Sequence, residues 1–286
     1  MPDDPVTPLE RLRAARGYVF DLDGTLVLGD RNNHGLAPLP GAVEITRWVE
    51  EQGLPFAVFT NGTTKTPQVL TRELRSLGFK VPDDAVLTPA SSAARVFARR
   101  GHRRVLVLGG NGLAGPLHDA GIEVLTPTDS RTEGVDAVIA GWYPEFTLPA
   151  LEVACQAVWA GARLYSASQS LFFATAGGRA IGTSRAISAM ITSLTGVRAR
   201  LVGKPSLAAL RTASSRLAAQ TSELVVVGDD PELEVPMAHR GQALAIAVSS
   251  GLGGPDAYQH LPPDLQPHLH LTGVDELLSV CRDALA

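Results

Sequence analysis

The run from Tyr18 to Val27, Tyr-Val-Phe-Asp-Leu-Asp-Gly-Thr-Leu-Val, constrains this chain more than any other stretch. Val19 and Phe20 are strand formers, and the run reads as the end of a buried strand. Asp21 and Asp23 stand two apart, so in an extended backbone both side chains leave on one face. Gly24 permits a sharp turn directly behind them. Two carboxylates brought together at a strand end repel unless a cation or a proton comes between them. Such a pair suits one acid as nucleophile and metal ligand and the other as general acid and base. It would equally suit an Asx-turn that satisfies only local backbone groups, and the stretch alone leaves both readings open. A calcium loop does not fit, because the further oxygen ligands and the closing Glu are missing downstream.

Three more expected strand or loop ends bear chemistry. A strand over 54–59 runs into Thr60-Asn61-Gly62-Thr63-Thr64. Those residues offer hydroxyls and backbone N–H groups, as an oxyanion cradle or as an ordinary capped turn. Gly203-Lys204-Pro205 precedes an expected helix with Pro205 in its first turn. An ammonium there is disfavoured unless an anion binds too, though a solvated surface lysine is the commoner fate. It is not a Walker A loop: Pro follows the lysine, and Arg198 stands where a Gly is required. A strand over 224–227 ends in Gly228-Asp229-Asp230-Pro-Glu232-Leu-Glu234, either a helix N-terminal charge cluster or a set of hard-cation ligands.

Composition narrows the class. The chain has 286 residues, 45% of them hydrophobic, enough for one large domain or two modest ones. A net charge of −4 with both signs interspersed lacks the basic stripe of a nucleic-acid binder. Cys155 and Cys281 form no CxxC, so neither a disulfide framework nor a zinc knuckle is expected, and a reducing cytoplasm is the natural setting. Met1 to Arg16 lack the apolar core of a signal peptide, and no apolar run reaches bilayer-spanning length.

Periodicity predicts helices over 9–15, 41–52, 67–77, 91–99, 148–159, 187–194 and 274–285, and a loop over 29–39. Strands are predicted over 104–108, 121–125, 135–140, 162–166 and 242–248. Elements between 88 and 183 extend the same sheet or form an inserted domain; periodicity does not decide. Gly110-Asn-Gly112-Leu-Ala-Gly115 follows a strand and matches a dinucleotide fingerprint. The helix after it is expected to be very short, and the acid that should follow, Asp129, lies in a loop. His260, His268 and His270 sit in a Pro-rich tail without metal-ligand spacing and are expected at the surface.

Acid, hydroxyl, lysine and acid thus occur in that order at separate ends. In an open parallel sheet the carboxyl ends of strands share one edge, which would bring Asp21, Asp23, Thr60, Lys204 and Asp229 to one crevice. The order resembles that of the haloacid dehalogenase superfamily of phosphotransferases. Phe20-Asp21-Leu-Asp23-Gly-Thr-Leu26 is similar to its first motif, Thr60-Asn61-Gly62 to its second, Gly203-Lys204-Pro205 to its third and Gly228-Asp229-Asp230 to its fourth. Thr-Asn with Gly-Lys-Pro is similar to the NagD or p-nitrophenyl phosphatase branch, subfamily IIA with a C2-type cap.

The resemblance implies an α/β fold: a Rossmann-like parallel-sheet core, residues 1–87 and 184–286, with an α/β cap domain inserted over 88–183. It implies a Mg²⁺-dependent phosphatase for a small phosphorylated metabolite such as a nucleotide or sugar phosphate. Asp21 would be the nucleophile, Asp23 the acid and base, Thr60, Asn61 and Gly62 the phosphoryl cradle, and Lys204 the counter-charge. Asp21, Asp23 and Asp229 would hold the metal, and whether Asp230 or Glu234 assists is left open; relatives usually show Asp at Glu234's place, which makes Glu234 an outer candidate at best. A dehalogenase has no use for the second aspartate. Cap segments Gly141-Trp142-Tyr143 and Ser166-Ala-Ser-Gln169 depart from the branch pattern, so no named substrate transfers. No nucleic-acid or membrane partner is expected, and a homodimer is left open. Two other readings stand beside this one: a binding or regulatory protein of the same fold with little turnover, and a dinucleotide-dependent oxidoreductase built on Gly110 to Gly115.

Overall fold

The computed structural model describes residues 7–285 apart from 33, 130, 131, 255 and 260, so the expectation for His260 lies outside the described residues. The first part of the chain contains α1 (Pro8–Arg13), β1 (Gly17–Phe20), β2 (Val27–Leu28), β3 (Ala37–Pro38), α2 (Ala42–Glu51), β4 (Phe56–Phe59), α3 (Pro67–Ser76) and β5 (Val86–Leu87). The middle contains α4 (Pro89–Arg100), β6 (Arg104–Leu108), α5 (Asn111–Asp119), β7 (Glu123–Leu125), β8 (Ala137–Ala140), α6 (Leu148–Trp159), β9 (Arg163–Ser166), β10 (Phe172–Thr175), β11 (Gly178–Ile181), α7 (Thr183–Thr195) and β12 (Arg200–Leu201). The last part contains α8 (Leu207–Leu217), β13 (Leu224–Gly228), α9 (Glu234–Arg240), β14 (Leu244–Val248), β15 (Leu269–Leu271) and α10 (Val274–Leu285).

Six strands form a wholly parallel sheet in the order β15-β14-β13-β1-β4-β5. Its central strands are apolar at consecutive positions because both faces are covered. Tyr18 and Phe20 of β1 pack with Val225, Val227 and Ile246 on one face, while Val19 packs with Val226, Ala245 and Ala247 on the other. From β1 the chain builds outward to β4 and β5, then returns to add β13, β14 and β15 on the opposite side. The reversal falls between β1 and β13, where an open parallel sheet leaves a crevice at its carboxyl edge.

A second parallel sheet runs β12-β9-β8-β6-β7. It too has two covered faces, with Leu106, Val138 and Leu164 on one and Val105, Ile139 and Tyr165 on the other. Ile187 and Ile191 of α7 join the first of these clusters, and β12 pairs with β9. Both elements run beyond residue 183 and yet pack on or pair with this second sheet.

Three expectations need correction. The stretch 29–39 is not all loop, since β3 pairs with β2; a two-residue ladder is too short for periodicity to reveal. The glycines of 110–115 do not open a dinucleotide site. All but Gly110 lie within α5, and a Cβ at Gly112 would sit 2.6 Å from the Lys65 backbone nitrogen, so the glycine lets the helix lie against the Thr63–Lys65 backbone. His268 is partly buried, its Nε2 2.8 Å from Arg11 Nη1 and its ring stacked on His239. Among the described residues no helix is long and apolar enough to cross a membrane.

Candidate active site

The carboxyl edge of the central strands supplies most of the site. Asp21 follows β1 directly and its backbone N–H donates to Val227 O at 2.8 Å, which fixes its position beside β13. Thr60 follows β4, and Asp229 follows β13. Lys204 enters from the loop between β12 and α8. Asp21, Asp23, Thr60, Asn61, Gly62, Lys204 and Asp229 all line one pocket. Its empty volume, open mouth included, is about 760 Å³, within the range of small-molecule sites.

Lys204 is 1% exposed and Glu234 likewise. The ammonium pairs with Asp21 Oδ1 and, at 2.6 Å, with Glu234 Oε1. Thr25 Oγ1 donates to the other Asp21 oxygen at 3.3 Å. Thr60 Oγ1 donates to Asp23 Oδ2 at 3.0 Å and accepts the Gly62 N–H at 2.9 Å. Asp229 Oδ2 accepts the Leu252 N–H at 2.6 Å. Glycines make room for that carboxylate: a Cβ at Gly24 would lie 2.8 Å from Asp229 Cγ, and one at Gly251 2.6 Å from it.

Several acids share one cation in this buried space, and their protonation reflects it. Burial, reinforced by Asp21, pushes Asp23 up to about 7, against the bond from Thr60. Burial and then Asp21 hold Asp229 well above the carboxylate range, and burial lifts Asp230 to about 6. Glu234 is pushed up by burial, with Lys204 opposing. Burial would lower the Lys204 ammonium, but Asp21 and Glu234 outweigh it and the net shift is upward. Divalent cations relieve such a surplus of acid. The donor set around Asp21 and Asp229 is all oxygen, the chemistry a hard ion takes; among the described residues no group of three or more His, Cys, Asp or Glu is arranged to hold a metal ion. Magnesium characteristically takes one or two carboxylates and leaves its other positions to water and phosphate.

The second unit forms the opposite wall. Trp142, Ser168, Ser170, Phe172 and Phe173 line the pocket from that side. The β10–β11 hairpin reaches across to the first unit, where the Ala176 N–H donates to Gly29 O at 2.8 Å. Thr63 Oγ1 accepts the Trp142 N–H at 2.8 Å. Asn61 ties both units together: its Oδ1 accepts the Lys204 N–H at 2.9 Å, and its Nδ2 donates to Lys204 O at 3.0 Å and to Ser168 Oγ at 3.2 Å.

A haloacid dehalogenase-like hydrolase family model matches residues 18–123, and a HAD-hydrolase-like model matches 201–277. The acid sugar phosphatase of Staphylococcus haemolyticus is 30% identical over 215 residues, covering 75% of this chain and 77% of that protein. The chain belongs to the haloacid dehalogenase-like hydrolases. Within that family it is a phosphatase-type enzyme. NagD from Escherichia coli K-12 superposes with a TM-score of 0.79 at 26% identity, over 92% of this chain and 98% of that one. A glycerol phosphate phosphatase from Mycobacterium tuberculosis, solved in complex with magnesium, superposes with a TM-score of 0.77 at 25% identity, over 90% of this chain and 74% of that one.

As a haloacid dehalogenase-like hydrolase the chain holds two surprises. Glu234, expected in the outer shell, touches Lys204 directly. Its neighbour Gly228 is needed for this, since a Cβ there would lie 2.5 Å from Glu234 Oε2. The Asn61 side chain, of which the expected phosphoryl cradle used only the backbone, holds the Lys204 backbone.

Proposed function

We propose that the chain hydrolyses a small phosphomonoester through an aspartyl phosphate on Asp21, with magnesium at the carboxylate end of the pocket. The observation that carries this reading is the buried contact of Lys204 with Asp21 at the mouth of the β1–β13 crevice. A phosphoryl group brings negative charge next to carboxylates, so transfer depends on positioning and neutralisation. Lys204 supplies positive charge and, with Thr25, orients the attacking carboxylate. Asp21 forms a bond to phosphorus as the bond to the leaving oxygen breaks. Asp23, in its protonated form, gives its proton to that oxygen. Asp23 then takes a proton from water as the water oxygen attacks phosphorus and the Asp21–phosphorus bond breaks, leaving inorganic phosphate. Thr60 holds Asp23 and faces the transferring oxygens, with the backbone at Asn61 and Gly62 beside it.

The side chains of Asp21 and Asp229 with the Asp23 main-chain carbonyl would hold the magnesium. When bound, the ion offsets charge on the phosphoryl oxygens and on the crowded acids. The second unit, 88–183 together with α7 and β12, is read as the cap over the pocket. The unpaired, buried cysteines Cys155 and Cys281 support a cytoplasmic setting.

Hydrolysis of p-nitrophenyl phosphate with and without magnesium tests the reading. Wild type is expected to release p-nitrophenol only with the ion, and Asp21→Asn to release none. Equal turnover by Asp21→Asn would overturn it.

A further inference from the structure

The wall facing the acids selects among phosphomonoesters. Trp142 and Phe173 stand edge to face on it, ring centroids 5.8 Å apart, with Phe172 alongside. An Arg179 guanidinium lies over the Phe172 ring, 5.9 Å from its centroid, and steadies that side chain. Of the hydroxyls nearby, those of Ser168 and Thr183 are already engaged, while Ser170 Oγ keeps its own proton and Ser184 Oγ makes no hydrogen bond among the described residues. Ser168 Oγ donates to Ser170 Oγ at 2.9 Å and accepts from Asn61, while Thr183 Oγ1 donates to Gly141 O at 3.4 Å. Among the described residues the second unit contributes no carboxylate and no amide side chain to the pocket lining.

A polyhydroxylated body brings several donors and acceptors, and each one buried without a partner is destabilising. An aromatic or aliphatic body makes no such demand and gains from contact with aromatic rings. We infer that the preferred substrate carries an aromatic or aliphatic leaving group that packs on Trp142 and Phe173, and that sugar phosphates are poor substrates. This rests on the phosphatase reading above and narrows its substrate class.

The comparison needs leaving groups of like reactivity. 2-Phenylethyl phosphate, glycerol 3-phosphate and glucose 6-phosphate all release an alkoxide, and inorganic phosphate reports each. The expected result is a kcat/KM for the phenylethyl ester at least tenfold above either polyol ester. Trp142→Ala and Phe173→Ala should each bring that ratio towards one, mainly through KM for the phenylethyl ester. Equal or better turnover of the polyol esters overturns the inference, as does a ratio that survives both substitutions. A separate titration with 2-phenylethyl phosphonate, followed by tryptophan fluorescence, keeps the two readings apart. Saturable binding without turnover of any ester sinks the phosphatase reading while supporting the pocket chemistry. Absence of binding sinks the pocket chemistry, even where other esters are hydrolysed.

Discussion

At the scale of single residues, the buried Lys204 decides what its neighbours can be. Removing one partner of a buried ion pair leaves uncompensated charge and costs about 3–5 kcal/mol. Lys204→Met is therefore expected to lower the unfolding free energy by about 3 kcal/mol in a denaturant titration. Adding Glu234→Gln should recover part of that loss, because a buried acid that has lost its cation must take up a proton to fold, and Gln is neutral already. Asn61→Ala tests a subtler role. With the Lys204 backbone released from Asn61, kcat is expected to fall about 100-fold, the scale of an ångström-sized misplacement, while the chain stays folded. That Asp21, Asp23, Thr60 and Asp229 line one pocket was legible in the sequence because each follows a strand within a few residues and shares an edge by topology. Glu234 was not, because its meeting with Lys204 depends on how α9 turns back over Gly228. Asn61's task was hidden for the same reason: its partners lie at Ser168 and Lys204, far along the chain.

At the scale of elements, local signals served where an element is long and one-sided. The predicted spans 104–108, 148–159 and 274–285 match β6, α6 and α10 end to end. The β10–β11 hairpin left no such trace, since each strand buries one alanine, Ala174 or Ala180, and shows mostly exposed or half-exposed positions otherwise. Without alternation there is no period to read. Ties between elements also escape a sequence reading. Asp136 at the start of β8 accepts the Arg103 and Arg104 N–H groups at 2.7 and 2.9 Å. Those bonds, that of Arg103 first, hold its carboxyl below the ordinary value of 3.8. A carboxyl depressed in the folded state adds stability above its unfolded pKa, and that stability is lost as pH falls through the folded one. Asp136→Asn is therefore expected to destabilise the chain at pH 7 by about 0.5–1 kcal/mol, the group being partly solvated. The gap from wild type in chemical unfolding should close below pH 3.8. A constant gap across pH would show that the carboxylate charge plays no part.

At the scale of the whole molecule, two parallel sheets meet across a pocket that neither builds alone. The acids come from one, the aromatic rings from the other, and Thr63 and Asn61 bridge them. Thr63→Val removes the acceptor for the Trp142 N–H while keeping the side-chain shape. It is expected to raise KM severalfold and to speed proteolysis between 88 and 201, with about 1 kcal/mol lost in stability. The fold class was readable because strand and helix signals alternate throughout. The joining of α7 and β12 to the second sheet was not, because in sequence they look like a return to the first. The ribbon formed by β10 and β11 rests on the Gly29 carbonyl, beside the pocket that Phe172, Phe173 and Ala174 help to line. A phosphate attached to a folded protein or a nucleic-acid strand would have to bring its polymer past that wall to reach the acids. The enzyme should thus release phosphate from free phosphotyrosine and none from the same residue embedded in an intact protein domain, a size filter imposed by a few atoms at the hairpin's tip.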